Sequence, residues 1–193
     1  MLLNMISQQR YAEALQAIEH ALILEGDRDK SHLLWTDKAD MLIKMSQFAE
    51  AIEAADHAIS LNPNYEYAWA TKASAFNHLG KTEEALALFD KALELQADDY
   101  TIWFNKAFVL YNIGRKAESL KCFKRVLEML PSEPEALRFA AELSVSLGEY
   151  SAGIELYDRL LAVRPNDADG IKGKAAALQL ANMSDNSSAQ MTA

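Results

Sequence analysis

The chain has 193 residues, of which 50% are apolar, and a formal net charge of -9. This length suffices to bury a core, and a composition with only seven glycines and four prolines favours helix over strand. The negative charge argues against nucleic-acid and anionic-lipid partners, because both are bound through clustered Lys and Arg. No stretch of the sequence is long and uncharged enough to cross a bilayer, and the single cysteine excludes an internal disulfide. We therefore expect a helical, cytoplasmic protein with neither nucleic-acid nor membrane partners.

The N-terminal segment, 1–28, contains one clear helical pattern. Small and apolar side chains recur there at spacings of three and four: Tyr11, Ala14, Ile18, Ala21 and Leu24. Residues at these spacings share one face of a helix, so the segment predicts a helix with a continuous apolar stripe.

From residue 32 onward the sequence repeats with a period of 34 residues. The first landmark is a large side chain: Trp35, Trp69, Trp103, Leu137 and Ile171. A small residue follows four positions later: Ala39, Ala73, Ala107, Ala141 and Ala175. A third position, three residues further on, holds Leu42, Phe76, Leu110, Ser144 and Leu178. The first half of each copy therefore predicts one amphipathic helix, and we expect its tryptophan to be buried between neighbouring copies.

A turn position and a second stripe complete each copy. The turn position holds Ser46, Gly80, Gly114 and Gly148. The second stripe begins with a small residue: Ala51, Ala85, Ser119 and Gly153. Its next two positions hold Ala55, Phe89, Phe123 and Tyr157, then Ala58, Ala92, Val126 and Leu160. Each copy is thus predicted to be a helical hairpin, whose small residues let the two backbones approach closely and whose glycine suits a left-handed helix end.

This pattern resembles the tetratricopeptide repeat over roughly residues 1 to 182. The resemblance implies an all-α fold, a right-handed superhelical solenoid of antiparallel helix pairs. It also places the boundaries of a single array: a partial first repeat at 1–28, full repeats at 32–65, 66–99, 100–133 and 134–167, and a terminal capping helix at 168–182. The polar tail at 183–193 is predicted to be disordered. One departure from the family pattern is a lysine where leucine is common, at Lys38, Lys72, Lys106 and Lys174.

The resemblance further implies a concave groove, lined by first helices, that binds a peptide or a helical segment of a partner protein. Nine candidate groove residues follow from the family positions: Tyr67, Thr71, Asn77, Phe104, Asn105, Phe108, Tyr111, Asn112 and Arg138. Aromatic rings supply contact area and amides can hydrogen-bond a peptide backbone. The alternative for Phe108 is that it completes the core. Phe139 and Glu142 lie on the same predicted face, and the Lys and Asn of the family's carboxylate clamp are missing from these positions.

No constellation for catalysis is evident in the sequence. No nucleophile lies beside a base, and the four histidines lack metal-ligand spacing on one face, so neither an enzyme nor a metal or cofactor site is expected. Cys122 is expected to be a thiol on the outer surface. The alternative to a binding scaffold is a structural module, either self-associating through its apolar N-terminal end or forming part of a longer chain.

Overall fold

The computed structural model describes the backbone of residues 2–25 and 30–191, and the side chains of residues 9–24 and 30–184. The described residues form ten α-helices and no strand. In chain order they are α1 Leu2–Glu25, α2 Ser31–Lys44, α3 Phe48–Leu61, α4 Glu66–His78, α5 Thr82–Leu95, α6 Tyr100–Asn112, α7 Lys116–Met129, α8 Pro134–Ser146, α9 Tyr150–Val163 and α10 Ala168–Met191. The predicted all-α fold of antiparallel helix pairs is confirmed.

The chain is divided into two compact units, Met1–Ile102 and Trp103–Ala193, and the boundary falls within α6. In the first unit α1 packs on α2, α2 on α3, α3 on α4 and α4 on α5. In the second unit α7 packs on α8, α8 on α9 and α9 on α10. Each of these helices contacts its neighbour in the chain, so stability in either unit depends on nearest-neighbour contacts.

Small residues bring the two helices of a pair together, as the sequence predicted. The hydroxyl of Ser119 on α7 donates to the carbonyl of Ala107 on α6 at 2.8 Å. In the next pair, a Cβ on Gly153 of α9 would lie 3.2 Å from the carbonyl oxygen of Ala141 on α8. All four residues are buried, so larger side chains would separate the helices.

The turns between paired helices have left-handed backbone conformations. Gly80, Gly114 and Gly148 have φ values of 77°, 76° and 83°, and Ser46 adopts the same conformation with φ 62°. The residue after the turn hydrogen-bonds back to the preceding helix, for example from the amide of Arg115 to the carbonyl of Leu110 at 3.0 Å. This bond satisfies a carbonyl that the end of the helix would otherwise leave without a partner.

The recurring lysines on first helices form ion pairs with the preceding second helix, and we call these contacts the inter-repeat ion pairs. They join Lys38 to Glu19 at 2.9 Å, Lys72 to Asp56 at 2.6 Å and Lys174 to Asp158 at 2.5 Å. The corresponding positions between α7 and α8 hold Lys124 and Ala140 instead. Between α7 and α8, therefore, a lysine stands at the position of the acidic residue, and an alanine stands at the position of the lysine.

Both terminal helices are longer than the sequence predicted. Within the partial repeat, residues 2–25 form one continuous helix, α1, and the rest of 1–28 lies outside the described residues. The tail predicted to be disordered is helical as far as Met191, and residues 192 and 193 lie outside the described residues. The position of the turn glycine is occupied by Gln9 in α1 and by Asn182 in α10, and neither helix breaks there.

Two predictions about individual side chains need correction. Cys122 is buried, with 4% of its surface exposed, and is not a surface thiol. It lies between Ser119 and Val126 at spacings of three and four, which places it on the inward stripe of α7. The three tryptophans are half-buried rather than part of a sealed core, and the indole of Trp69 donates to the carbonyl of Pro63 at 2.9 Å.

Candidate functional site

The nine candidate groove residues are divided between the two units. Three lie on α4 in the first unit: Tyr67, Thr71 and Asn77. Six lie in the second unit, on α6 and α8: Phe104, Asn105, Phe108, Tyr111, Asn112 and Arg138.

In the first unit the outermost candidate is Tyr67, with 37% of its surface exposed. Its hydroxyl donates to the carboxylate of Asp99, and this hydrogen bond, together with burial, raises the pKa of Tyr67 to about 12. The ring of Tyr67 lies 5.7 Å from that of Tyr65, which packs edge-on against His32 at 5.0 Å. Thr71 and Asn77 are half-buried. These contacts hold the Tyr67 ring at the surface.

In the second unit four aromatic rings surround Phe139, and we call these five rings from three helices the Phe139 cluster. The centroid of Phe139 lies 4.9 Å from Tyr111, 5.2 Å from Phe123, 5.7 Å from Phe108 and 6.5 Å from Phe104. Phe123 is stacked on Phe139, and the other three rings contact Phe139 edge to face. These are favourable geometries for aromatic pairs. The cluster therefore fixes the α6 rings against α7 and α8.

The Phe139 cluster extends from the core to the surface. Phe123 is fully buried and Phe139 is 8% exposed, whereas Phe108 is 41% exposed. The alternative that Phe108 completes the core is therefore wrong. Phe104 is more enclosed, because it is half-buried with its ring edge-on to Phe123 at 5.4 Å. Phe108 is therefore the exposed end of the cluster, and buried rings lie beneath it.

Arg138 is the centre of a set of charged hydrogen bonds beside the rings, which we call the Arg138 network. Its guanidinium donates to Glu135 at 2.8 and 3.2 Å and to Glu142 at 3.1 Å. Glu142 also accepts from the hydroxyl of Tyr111 at 3.1 Å, and Glu135 from Arg164 at 3.0 Å. The guanidinium carbon of Arg138 lies 4.2 Å from the centroid of the Phe139 ring, within cation–π range. The network therefore joins α6, α8 and the end of α9.

The network shifts the pKa values of its members in the directions expected for paired charges. Hydrogen bonds from Arg138 hold the pKa of Glu135 below its ordinary value. Burial opposes the charge of Arg138, but the bonds to Glu135 and the charge of Glu142 raise its pKa overall. Burial and the nearby Glu142 raise the pKa of Tyr111. Two arginines balance two glutamates, so the network carries no net charge at neutral pH.

Asn105 and Asn112 flank the rings on α6. Asn105 is half-buried and Asn112 is exposed. Among the described residues, neither amide side chain has a hydrogen-bond partner. Both amides can therefore form further hydrogen bonds.

The sequence placed Phe139 and Glu142 on the predicted groove face, but of the α8 residues only Arg138 was among the nine candidates. Phe139, Glu142 and Glu135 occupy the repeat positions of Asn105, Phe108 and Thr101, one period later. That equivalence is the signal that places them on the predicted groove face. It does not reveal which rings touch, because the contacts depend on side-chain directions from three helices.

Comparison with known proteins identifies the family to which the chain belongs. The model described as Tetratricopeptide repeat matches residues 36–100 and 104–170, which is more than half of the chain. The chain belongs to the tetratricopeptide repeat family. The resemblance to this family, which was inferred from the spacing of Trp, Ala and Gly in the sequence, is confirmed.

Solved tetratricopeptide repeat (TPR) proteins share the fold at low sequence identity. The structure of YrrB, described as a TPR protein with an unusual peptide-binding site, has a TM-score of 0.73 at 15% identity, covering 87% of this chain and 85% of that one. A thermophilic TPR protein from Thermus thermophilus has a TM-score of 0.67 at 20% identity over 92% and 95% of the two chains. MamA gives 0.71 at 15% identity over 86% and 90%. A search of curated protein sequences found no match.

The TPR fold is one that serves as a scaffold for protein–protein interaction, and this coarse function applies to the chain. No helix in the described part of the chain combines the length and apolar content needed to span a membrane. Across residues 9–24 and 30–184, no three His, Cys, Asp or Glu side chains are grouped so that they could hold a metal ion.

Proposed function

We propose that the protein is a non-catalytic, cytoplasmic scaffold that holds a peptide or helical segment of a partner protein against the Phe139 cluster. The observation that carries the proposal is the 41% exposure of Phe108 above rings that are themselves fixed. A preorganised aromatic surface binds at low cost in side-chain entropy, because its rings are already ordered.

The chemistry of the surface favours a ligand segment with an apolar or aromatic anchor. The Arg138 network is internally neutralised, so it offers no unpaired charge to an acidic or basic peptide. Asn105 and Asn112 supply hydrogen bonds to the ligand backbone on either side of the rings. Tyr67, Thr71 and Asn77 of the first unit remain candidate ligand contacts of that unit.

The test begins with identification of a partner segment by affinity capture and mass spectrometry, followed by calorimetric titration of the purified segment. Replacing Phe108 and Asn112 together by alanine should weaken binding at least about tenfold, which corresponds to the loss of an aromatic anchor and a hydrogen bond. The matched control is Ile113→Ala, because Ile113 is 42% exposed and lies immediately after α6. Equal affinities of the double variant and wild type would place the binding surface elsewhere.

A further inference from the structure

The last helix of the chain carries an exposed apolar face whose counterpart in α8 is buried. The α10 face consists of Ile171, Ala175 and Leu178, of which Ile171 is 51% exposed, Leu178 is 44% exposed and Ala175 is also exposed. The equivalent residues of α8 are completely buried: Leu137, Ala141 and Ser144. In α8 these positions pack against α9, its partner in the pair. The α10 face is therefore the surface on which a second helix would lie.

The first helix of the chain, α1, also has a face that is incompletely covered. The α1 face consists of Ala14, Ile18 and Ala21, which are all half-buried. The equivalent positions of the later second helices are buried in every copy: Ala51, Ala55, Ala58, Ala85, Phe89, Ala92, Ser119, Phe123, Val126, Gly153, Tyr157 and Leu160. In those copies the first helix of the pair covers the stripe. The α1 face is therefore a second-helix surface that lacks its first helix.

Neither terminal helix can supply its own missing partner within the described residues. In a complete pair the chain reverses at a left-handed residue, as at Gly114 or Gly148. At the same position α1 continues through Gln9 and α10 continues through Asn182. Residues that would form the returning helix instead extend the same helix away from the exposed face.

Both faces carry a small residue at the position where the two helices of a complete pair approach each other most closely. In complete pairs the small residue of the first helix touches the small residue of the second, as Ala107 touches Ser119 and Ala141 touches Gly153. Ala175 holds the first of these positions on α10, and Ala14 holds the second on α1. We propose that the α10 face of one copy packs against the α1 face of a second copy, so that two chains together complete one tetratricopeptide helix pair.

Such a contact is heterologous, since different surfaces of the two copies meet. Each associated copy retains one unused face, so the assembly grows into an open chain or closes into a ring. Association of this kind buries apolar side chains that are otherwise in water, which supplies its driving force.

The test is a complementation experiment on the full chain, read by analytical ultracentrifugation across micromolar concentrations. The average mass of the wild type should rise with concentration. Ala21→Glu blocks the α1 face and Leu178→Glu blocks the α10 face, so each variant alone should sediment as a monomer. An equal mixture of the two should form dimers and nothing larger, because only one productive pair of faces remains. The matched controls, Ala17→Glu and Gln179→Glu, alter exposed neighbours on the same helices and should associate like wild type.

A second measurement keeps the proposal testable if the introduced charges perturb folding, which circular dichroism would reveal. A chain carrying Ala14→Cys mixed with one carrying Ala175→Cys should give a disulfide-linked heterodimer under mild oxidation, in clear excess over either homodimer. Wild type that stays monomeric at all concentrations would overturn the proposal. So would variants that each still self-associate, because an α10–α10 or α1–α1 contact would then join the copies.

Discussion

The ring of Tyr157 on α9 lies directly against the backbone of Gly173 on α10. A Cβ at residue 173 would lie 2.3 Å from both the ring carbon Cζ and the hydroxyl oxygen, closer than any real contact. Tyr157 is only 3% exposed, so its ring has little room to move aside. The glycine is required here for close packing and not for backbone conformation.

Gly173→Ala is therefore expected to destabilise the protein, although alanine is the better helix former. Overpacking costs about 1–3 kcal/mol and the gain in helix propensity is about 1 kcal/mol, so a net loss of up to about 2 kcal/mol is expected in urea unfolding. In a Tyr157→Leu background the ring is gone, and the same substitution should become neutral or stabilising. Equal effects in both backgrounds would show that the contact is not responsible.

Ser46→Gly is expected to stabilise the first unit. Ser46 has a φ of 62°, a conformation that glycine adopts without strain. Glycine is also more flexible in the unfolded chain, which offsets part of this benefit. The expected net gain in the free energy of unfolding is about 0.5–1 kcal/mol. The reverse change, Gly114→Ser, should cost a similar amount, because a Cβ there meets open space and only the conformational penalty operates. Thermal unfolding of both variants measures the two effects, and shifts in the same direction would contradict this account.

Stability should fall at alkaline pH, in part because of Tyr157. Burial raises the pKa of Tyr157 to about 12 from an ordinary value of 10.0. The folded state therefore favours the neutral phenol, and this contribution is complete below pH 10 and is lost as the pH rises toward 12. Tyr157→Phe should show a smaller loss of unfolding free energy across this window in denaturant titrations. An unchanged slope would mean that Tyr157 ionises as readily in the folded state as in the unfolded state.

Arg138→Met should lower stability at neutral pH by about 1 kcal/mol, since Glu135 and Glu142 both lose their partner at a partly exposed site. The effect should depend on acid pH. Hydrogen bonds from Arg138 depress the pKa of Glu135 below 4.5, so the stabilisation is present above that value and is lost as the pH falls through the lowered pKa. The difference between wild type and variant should shrink toward pH 3. A constant difference would assign the loss to packing of the arginine stem on Phe139.

The sequence predicted the features that depend on local spacing. The helix pairs, the left-handed turns and the small contact residues all follow from residues three, four or 34 positions apart. Burial of the tryptophans was overestimated, since a repeated large side chain indicates a common environment but not its depth. Trp69 uses its indole N–H on Pro63, which requires one edge of the ring to lie near the surface.

The Phe139 cluster and the inter-repeat ion pairs could not be read from one helix at a time. The cluster takes rings from α6, α7 and α8, so its geometry depends on how three helices pack. For the ion pairs a signal was present, because Asp56 precedes Lys72, and Asp158 precedes Lys174, by 16 residues. A lysine in place of leucine is explained once the acid on the neighbouring helix is known.

The same ion pairs mean that the four copies are not interchangeable modules. Excising residues 66–99 would bring Asp56 opposite Lys106 and preserve an attractive junction, whereas excising 134–167 would bring Lys124 opposite Lys174. Two lysines at this contact between helices repel each other, so the chain that lacks 134–167 should fold less readily than the chain that lacks 66–99. Both shortened chains retain the large and small residues that recur every 34 positions. The charge pattern thus encodes the order in which the copies follow one another.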